Sequence, residues 1–175
     1  MAILGWTSRV AATESGAAVA GQPALMAPGA RVRGVGTRVV AVIIEATAQS
    51  QTFRGLVDQI GRTDGIALIR EGRCGLGVRA CLLHAMTIAG PNRMLFILVD
   101  ARASDRDLMG SIGHELQHAV EVLSNRQVRT GRAMTMLFKN MCGFCGDQLE
   151  TEAAVQAGDA VREELRKSDA AGSRK

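Results

Sequence analysis

Three residues near the middle of the chain have the types and the spacing of a catalytic metal site. His114, Glu115 and His118 lie in the run His-Glu-Leu-Gln-His. Two histidines four positions apart share one face of a helix, so both imidazoles can reach the same metal ion. Glu115 projects to the side, where its carboxylate can take a proton from a metal-bound water. The pattern predicts a zinc-dependent hydrolase in which the histidines bind the metal and Glu115 is the general base.

A helix must hold these residues, and the surrounding sequence predicts one. Ser104 is a favourable N-cap and is followed three residues later by Asp107. Apolar residues then recur at the helical period, as on a helix with one buried face; they are Leu108, Ile112, Leu116, Ala119 and Leu123. We therefore expect a helix over about residues 104–123, with the two histidines in its middle turns.

A catalytic zinc ion needs a third protein ligand, and the last helical stretch offers two acidic candidates. A helix predicted over about residues 148–166 contains Glu150 and Glu152. On such a helix Glu150 shares a small apolar face with Ala153 and Ala154, whereas Glu152 lies on a polar face. A carboxylate at the end of an inward stripe is costly to bury without a partner, and a metal ion is one such partner. We favour Glu150 as the third ligand and keep Glu152 as the alternative.

The chain before the motif predicts two helices and then three strands. Residues 39–44 are β-branched but also fit a helical stripe, and we favour a helix there. A second helix is expected to begin after Ser50 or Thr52 and to end at Gly61. The predicted strands are residues 66–69, 81–88 and 94–99, and the last two should form an antiparallel hairpin around a Gly-Pro-Asn turn.

The predicted elements occupy one domain between two tails. Residues 1–30 are rich in Ala, Gly, Ser and Pro without sustained periodicity, so we expect a flexible N-terminal tail. Residues 31–168 are the expected catalytic domain, and residues 169–175 are expected to form a flexible C-terminal tail.

The motif and the downstream acidic segment together resemble the gluzincin branch of zinc metallopeptidases, especially the small bacterial minimal gluzincins. Residues 113–119, Gly-His-Glu-Leu-Gln-His-Ala, and residues 150–154, Glu-Thr-Glu-Ala-Ala, carry the match. The resemblance implies an α+β, zincin-like fold: a small antiparallel sheet, then the motif helix, then a Glu-bearing C-terminal helix. It also implies that His114, His118 and Glu150 bind Zn²⁺. In such folds an edge strand before the motif helix pairs with the backbone of a peptide or protein substrate, and residues 94–99 are the expected counterpart.

The chain departs from the gluzincin pattern at the oxyanion. Gluzincins usually add a Tyr or a His that stabilises it, but this sequence has no Tyr, and its one histidine outside the motif is His84. His84 is the candidate for that role, and an Arg is the alternative. Glu121, one turn beyond His118, is a candidate for a carboxylate that orients a ligand histidine, although an exposed helix position is the commoner case. A degenerate zincin that binds without cleaving therefore stays an alternative.

The four cysteines leave a different zinc site open. Cys142 and Cys145 form a C-x-x-C, and with His114 and His118 they would complete a structural Cys2His2 site in a protein without catalysis. That alternative gives Glu115 and Glu150 no role. A further alternative is that the motif occurs by chance on a helix that only packs against the core. Cys74 and Cys81 complete an even count, which permits disulfides in an oxidising compartment and free thiols in the cytosol.

Composition limits the other classes of function. The net charge is +4, the arginines are scattered, and aromatic residues make up only 3% of the chain, so we expect no nucleic-acid partner. No apolar run approaches the length of a transmembrane segment, and the N-terminus is not a clear secretory signal. We therefore expect a cytoplasmic protein, with a mature or mis-started form of an exported protein as the alternative.

Overall fold

Helices and strands fill most of the part of the chain that the computed structural model describes, which is residues 30–100, 102–142 and 149–172. The α+β class predicted from the sequence is confirmed. The predicted N-terminal tail lies almost wholly outside these ranges. In chain order the elements are β1 (Val32–Gly34), α1 (Thr37–Gln49), α2 (Gln51–Gly61), β2 (Gly65–Glu71), β3 (Ala80–Ala89), β4 (Asn92–Val99), α3 (Asp105–Ser124), α4 (Gly131–Cys142) and α5 (Glu152–Gly172).

The four strands form one mixed sheet in the order β1-β2-β4-β3. β2 pairs in parallel with both β1 and β4, whereas β3 and β4 form the predicted antiparallel hairpin. The prediction of an antiparallel sheet is therefore wrong. The connection from β1 to β2 runs through two helices, which is long enough to return the chain in the same direction.

The strand at the edge of the sheet nearest the motif is also not the one that was predicted. β4 lies between β2 and β3, so it is an interior strand and has no free edge for a substrate. Residues along β4 alternate between buried and half-buried, as expected where one face of a sheet packs on a core. β3 is the edge strand that contacts α3.

The helices α1 and α2 confirm the predictions made for their segments. The buried residues of α1 are spaced at the helical period, so burial of one stripe outweighs the strand preference of its β-branched residues. Ser50 begins α2, and its hydroxyl accepts a hydrogen bond from the Phe53 amide. The short strand β1 and the helix α4 were not predicted.

The last helix begins later and ends later than predicted. α5 starts at Glu152 and continues to Gly172, into the stretch assigned to the C-terminal tail. Thr151 precedes it, and its hydroxyl accepts a hydrogen bond from the Ala154 amide at 3.2 Å. Glu150 therefore lies in the segment that enters α5, and the prediction that it shares a helical face with Ala153 and Ala154 is wrong.

The motif helix α3 crosses α5 at close range. A Cβ on Gly113 of α3 would lie only 2.8 Å from Cγ2 of Val161, and a Cβ on Gly158 of α5 would lie 3.1 Å from Cβ of His114. Glycines at both positions therefore allow the two backbones to approach more closely than larger residues would permit. α5 also packs against α1 and α2.

The buried apolar side chains form one cluster that joins the sheet to the helices. It includes three motif-helix residues predicted for the core, Leu108, Ile112 and Leu116. Burial of this cluster supplies the main driving force for folding. Among the described helices, none combines the length and the apolar character needed to cross a membrane, in agreement with the sequence.

A wholly buried arginine fixes the C-terminal end of α3 to the sheet. The side chain of Arg93, on β4, has an exposed fraction of 0% and is paired with Asp64 at 2.6 Å. Its guanidinium donates hydrogen bonds of 2.6–3.3 Å to four carbonyls at and beyond the end of α3, those of Val122, Leu123, Asn125 and Val128. Carbonyls at a helix end lack the amides of a following turn, so this cation supplies donors there and complements the helix dipole. The Val122 carbonyl also accepts from the Asn125 amide.

We expect Arg93→Met to lower the free energy of unfolding by about 3–5 kcal/mol, because it leaves buried carbonyls and a carboxylate without their cation. Urea denaturation measures the change. Arg102→Met is the matched control, because Arg102 is paired with Asp100 at the surface and its loss should leave the stability almost unchanged. Equal losses in the two variants would contradict the role given to Arg93.

Candidate metal centre

Three of the residues singled out from the sequence come together at one point. His114 and His118 project from α3, and Glu150 approaches from the segment before α5. One ligand atom from each lies within 4.8 Å of the others. Nε2 of His114 is 3.2 Å from Oε2 of Glu150. The side chains of His114 and Glu150 are 17% and 48% exposed, so the cluster opens to solvent on the Glu150 side.

The donor set and its spacing fit a zinc ion. Two imidazoles and one carboxylate are the three-ligand set of catalytic zinc sites, which leave a fourth position open. With bonds of about 2.1 Å, two ligands of a tetrahedral zinc ion lie about 3.4 Å apart. The separation of His114 and Glu150 already matches this value. All the ligand atoms lie within 4.8 Å of one another, so holding one ion would require only small side-chain movements.

A buried carboxylate fixes which nitrogen of His118 faces the cluster. Oε2 of Glu121 lies 3.0 Å from Nδ1 of His118, and both side chains are almost fully buried. A proton on Nδ1 donates to Glu121 and leaves Nε2 as the ligand atom. Burial raises the pKa of Glu121, but hydrogen bonds from His118 and Thr151 outweigh that effect, and the pKa is below its usual value. Glu121 therefore stays ionised.

Glu115 is held by the edge of the sheet. Its Oε2 accepts a hydrogen bond of 2.7 Å from the Leu82 amide of β3. Burial raises the pKa of Glu115, and the nearby His114 and His118 oppose this effect without cancelling it. The carboxylate lines a cavity of about 150 Å³ together with His118 and Glu150. A buried carboxylate beside residues that could hold a metal ion is the arrangement expected of a general base.

A bulge in β3 brings His84 to the same cavity. Leu82 pairs with Ile97 and Met86 with Leu95, so residues 83–85 lie opposite Phe96 alone. Such a bulge redirects side chains. The ring of His84 lies 6.0 Å from that of Phe138 on α4. The ring of His118 lies 5.1 Å from the same Phe138 ring. Burial lowers the pKa of His84, and the charge of His118 lowers it further.

The remaining candidates lie outside the cluster. Glu152 is exposed at the start of α5, where its carboxylate accepts a hydrogen bond from Gln156 at 2.8 Å. Cys74 and Cys81 form a disulfide at the start of β3. The side chain of Cys142 and all of Cys145 lie outside the described residues, so the Cys2His2 alternative stays a prediction.

Two residues that contact the cluster were not found from the sequence. Thr151 donates a hydrogen bond of 2.7 Å to Oε1 of Glu121, and Phe138 packs between His84 and His118. A threonine before an acidic first turn is a typical N-cap, and this signal would have placed the start of α5 at Glu152. Phe138 belongs to α4, a helix that was not predicted from the sequence.

The pKa of Glu115 leads to a prediction for the metal-free protein. A folded-state pKa above the unfolded one means that the native state binds more protons, so stability falls as the pH rises through it. Glu115→Gln keeps an acceptor for the Leu82 amide and removes the charge. We expect thermal unfolding in a chelator to show a higher Tm than wild type at pH 7, with a difference that shrinks as the pH is lowered.

The controls separate the charge of Glu115 from its hydrogen bond. Glu115→Ala removes both and should cost about 1–3 kcal/mol through the unpaired amide. Glu163 is a matched carboxylate with the opposite shift, because Arg166 lowers its pKa to about 2, and Glu163→Gln should not raise the Tm. A Glu115→Gln protein that melts at or below the wild-type temperature at pH 7 would refute the assignment.

No family model matches the chain, and no match is found among the curated proteins or the solved structures.

Proposed function

We propose that the protein is a zinc-dependent metallopeptidase of gluzincin-like type, which hydrolyses peptide bonds through an activated water. The observation that carries the proposal is the convergence of His114, His118 and Glu150 from two separate segments of the chain. A packing helix with a chance motif needs no carboxylate from elsewhere beside its histidines. The resemblance to gluzincins in residues 113–119 and 150–154 supports the same assignment.

Each side chain then has a defined task. A zinc ion held by the three ligands would polarise the scissile carbonyl and lower the pKa of the attacking water. One oxygen of Glu115 is bound to the Leu82 amide, which leaves the other oxygen to take the proton of that water. The same carboxyl group then delivers the proton to the leaving amine. The hydrogen bond to β3 keeps the carboxylate oriented through both transfers.

The edge strand supports a peptide as the substrate. β3 has no strand on its outer side within the described sheet, so the backbone groups that α4 leaves uncovered are open to pairing. The start of α4, at Gly131, lies against the His84 carbonyl. An extended peptide can add to such an edge through main-chain hydrogen bonds. Glu115 is bonded to the same strand, so a peptide on β3 would pass close to the general base. The substrate-pairing strand is therefore β3 in this proposal.

His84 takes the place of the missing tyrosine. Its side chain lines the cavity that also contains Glu115 and His118, and it comes from the bulge of the strand that would bind the substrate. An imidazole N–H at this position can donate to the oxyanion that forms as water attacks the carbonyl. The stacking of His84 on Phe138 restricts the orientation of its ring.

Zinc content and peptidase activity, measured on the same preparations, test the proposal. We expect one zinc per chain by elemental analysis in wild type and in Glu115→Gln, and hydrolysis of casein by wild type alone. His118→Ala should lose the zinc, and Glu150→Gln should bind it more weakly. Glu152→Gln is the matched control for Glu150. This exposed carboxylate lies outside the cluster, so its loss should change neither the zinc content nor the peptidase activity.

The alternatives give different outcomes. Zinc that is lost in Cys142→Ser but kept in Glu150→Gln would show a structural Cys2His2 site and refute the peptidase. Wild type that binds zinc through Glu150 but cleaves none of a broad set of peptides would show a zincin that binds without cleaving. Absence of zinc from every preparation, even after supplementation, would leave the motif as a feature of helix packing.

His84→Ala should lower kcat by roughly 10²–10³-fold, the usual cost of losing one donor to an oxyanion. Its zinc content should stay at the wild-type value, since His84 is not among the clustered ligands. Thr87→Ala, at an exposed position on the same strand, is the control and should retain full activity. Steady-state kinetics on one peptide measures both. Equal activity of the two variants would remove His84 from the mechanism.

A further inference from the structure

A single hydroxyl joins the two segments that supply the metal ligands. Thr151 follows the ligand Glu150 directly in the chain and is 7% exposed. Its Oγ1 donates to Oε1 of Glu121 at 2.7 Å and accepts from the Ala154 amide at 3.2 Å. The first bond reaches across to α3, and the second begins α5. The same atom therefore links the N-terminus of α5 to the carboxylate that orients His118.

Both oxygens of Glu121 are used in this linkage. Oε2 lies 3.0 Å from Nδ1 of His118. Oε1 accepts a hydrogen bond from the Thr151 hydroxyl and a longer one, of 3.4 Å, from the Gln117 amide. Without the hydroxyl, the carboxylate would lose its shortest hydrogen bond and would be free to rotate away from the imidazole. Rotation would leave the tautomer and the ring angle of His118 less restricted.

We infer that Thr151 is a positioning residue of the metal centre, which acts on His118 through Glu121 and on Glu150 through its place in the chain. This inference rests on the metal site of the proposed function but not on peptidase activity. It predicts that metal affinity depends on the docking of α5 onto α3 as well as on the ligands themselves. A plain helix cap would stabilise α5 and leave the affinity of the site unchanged.

The test is the affinity of the full chain for Zn²⁺, measured by competition with a chromophoric chelator. Thr151→Val keeps the shape but removes the hydroxyl, and we expect affinity to fall by roughly 10–100-fold. Thr151→Ser keeps the hydroxyl and should bind as wild type does. The d–d spectrum of bound Co²⁺ should change in Thr151→Val and not in Thr151→Ser, because it reports the geometry of the ligands.

A double-mutant cycle separates action through Glu121 from a general loss of structure. In Glu121→Gln the amide donates to Nδ1 and moves the imidazole proton to Nε2, so affinity should fall on its own. If Thr151 acts through Glu121, adding Thr151→Val to this variant should cause little further loss. Two losses that multiply in the double variant would overturn the inference, as would wild-type affinity in Thr151→Val.

Two further outcomes keep the test decisive. If Thr151→Val does not fold, Thr151→Ala takes its place, because it removes the same hydroxyl without adding bulk or charge beside Glu121. Wild type that binds no zinc would overturn both this inference and the proposed function. Zinc binding weakened by Thr151→Val in a protein without peptidase activity would support the inference and overturn only the peptidase.

Discussion

The position of the metal centre depends on where α3 ends, and the buried guanidinium of Arg93 fixes that end. It binds the terminal carbonyls of α3 from the middle of the sheet, so the helix cannot slide along β4 without breaking several hydrogen bonds at once. A helix held at one end keeps a constant register along its whole length. His118 and His114 lie about two and about three turns before that end, so their positions relative to the edge strand are fixed as well.

Three neighbours then act on the motif from different sides. β3 holds Glu115 through a backbone amide, α4 places Phe138 against His118, and the entry to α5 brings Glu150 and Thr151. None of these neighbours is close to the motif in sequence, so the site forms only when the tertiary structure does. The buried Glu115 carboxylate is the element that costs stability, and the hydrogen bond from the Leu82 amide offsets part of that cost.

Much of the fold could be predicted because its signals are local. A capped stripe of period 3.6 located α3, and the Gly-Pro-Asn turn located the hairpin of β3 and β4. The parallel pairing of β2 with β4 has no local signal, which is why the sheet was taken as antiparallel and β4 as its edge. Glu150 was chosen through a helical face that does not exist there, and its approach to His114 depends instead on the crossing of α3 and α5. Thr151 acts through a contact with Glu121 that no short-range pattern contains.

The place of Glu150 just before α5 has a consequence for biosynthesis. On a growing chain both histidines leave the ribosome well before this carboxylate does, and Glu150 reaches them only after α5 has packed onto α3. Until then the nascent chain offers a metal ion two imidazoles on a single helix, which is a weak and solvent-exposed pair. Acquisition of an ion by the proposed site would therefore belong to the last stage of folding, and an ion bound there would stabilise the finished domain over every partly folded form.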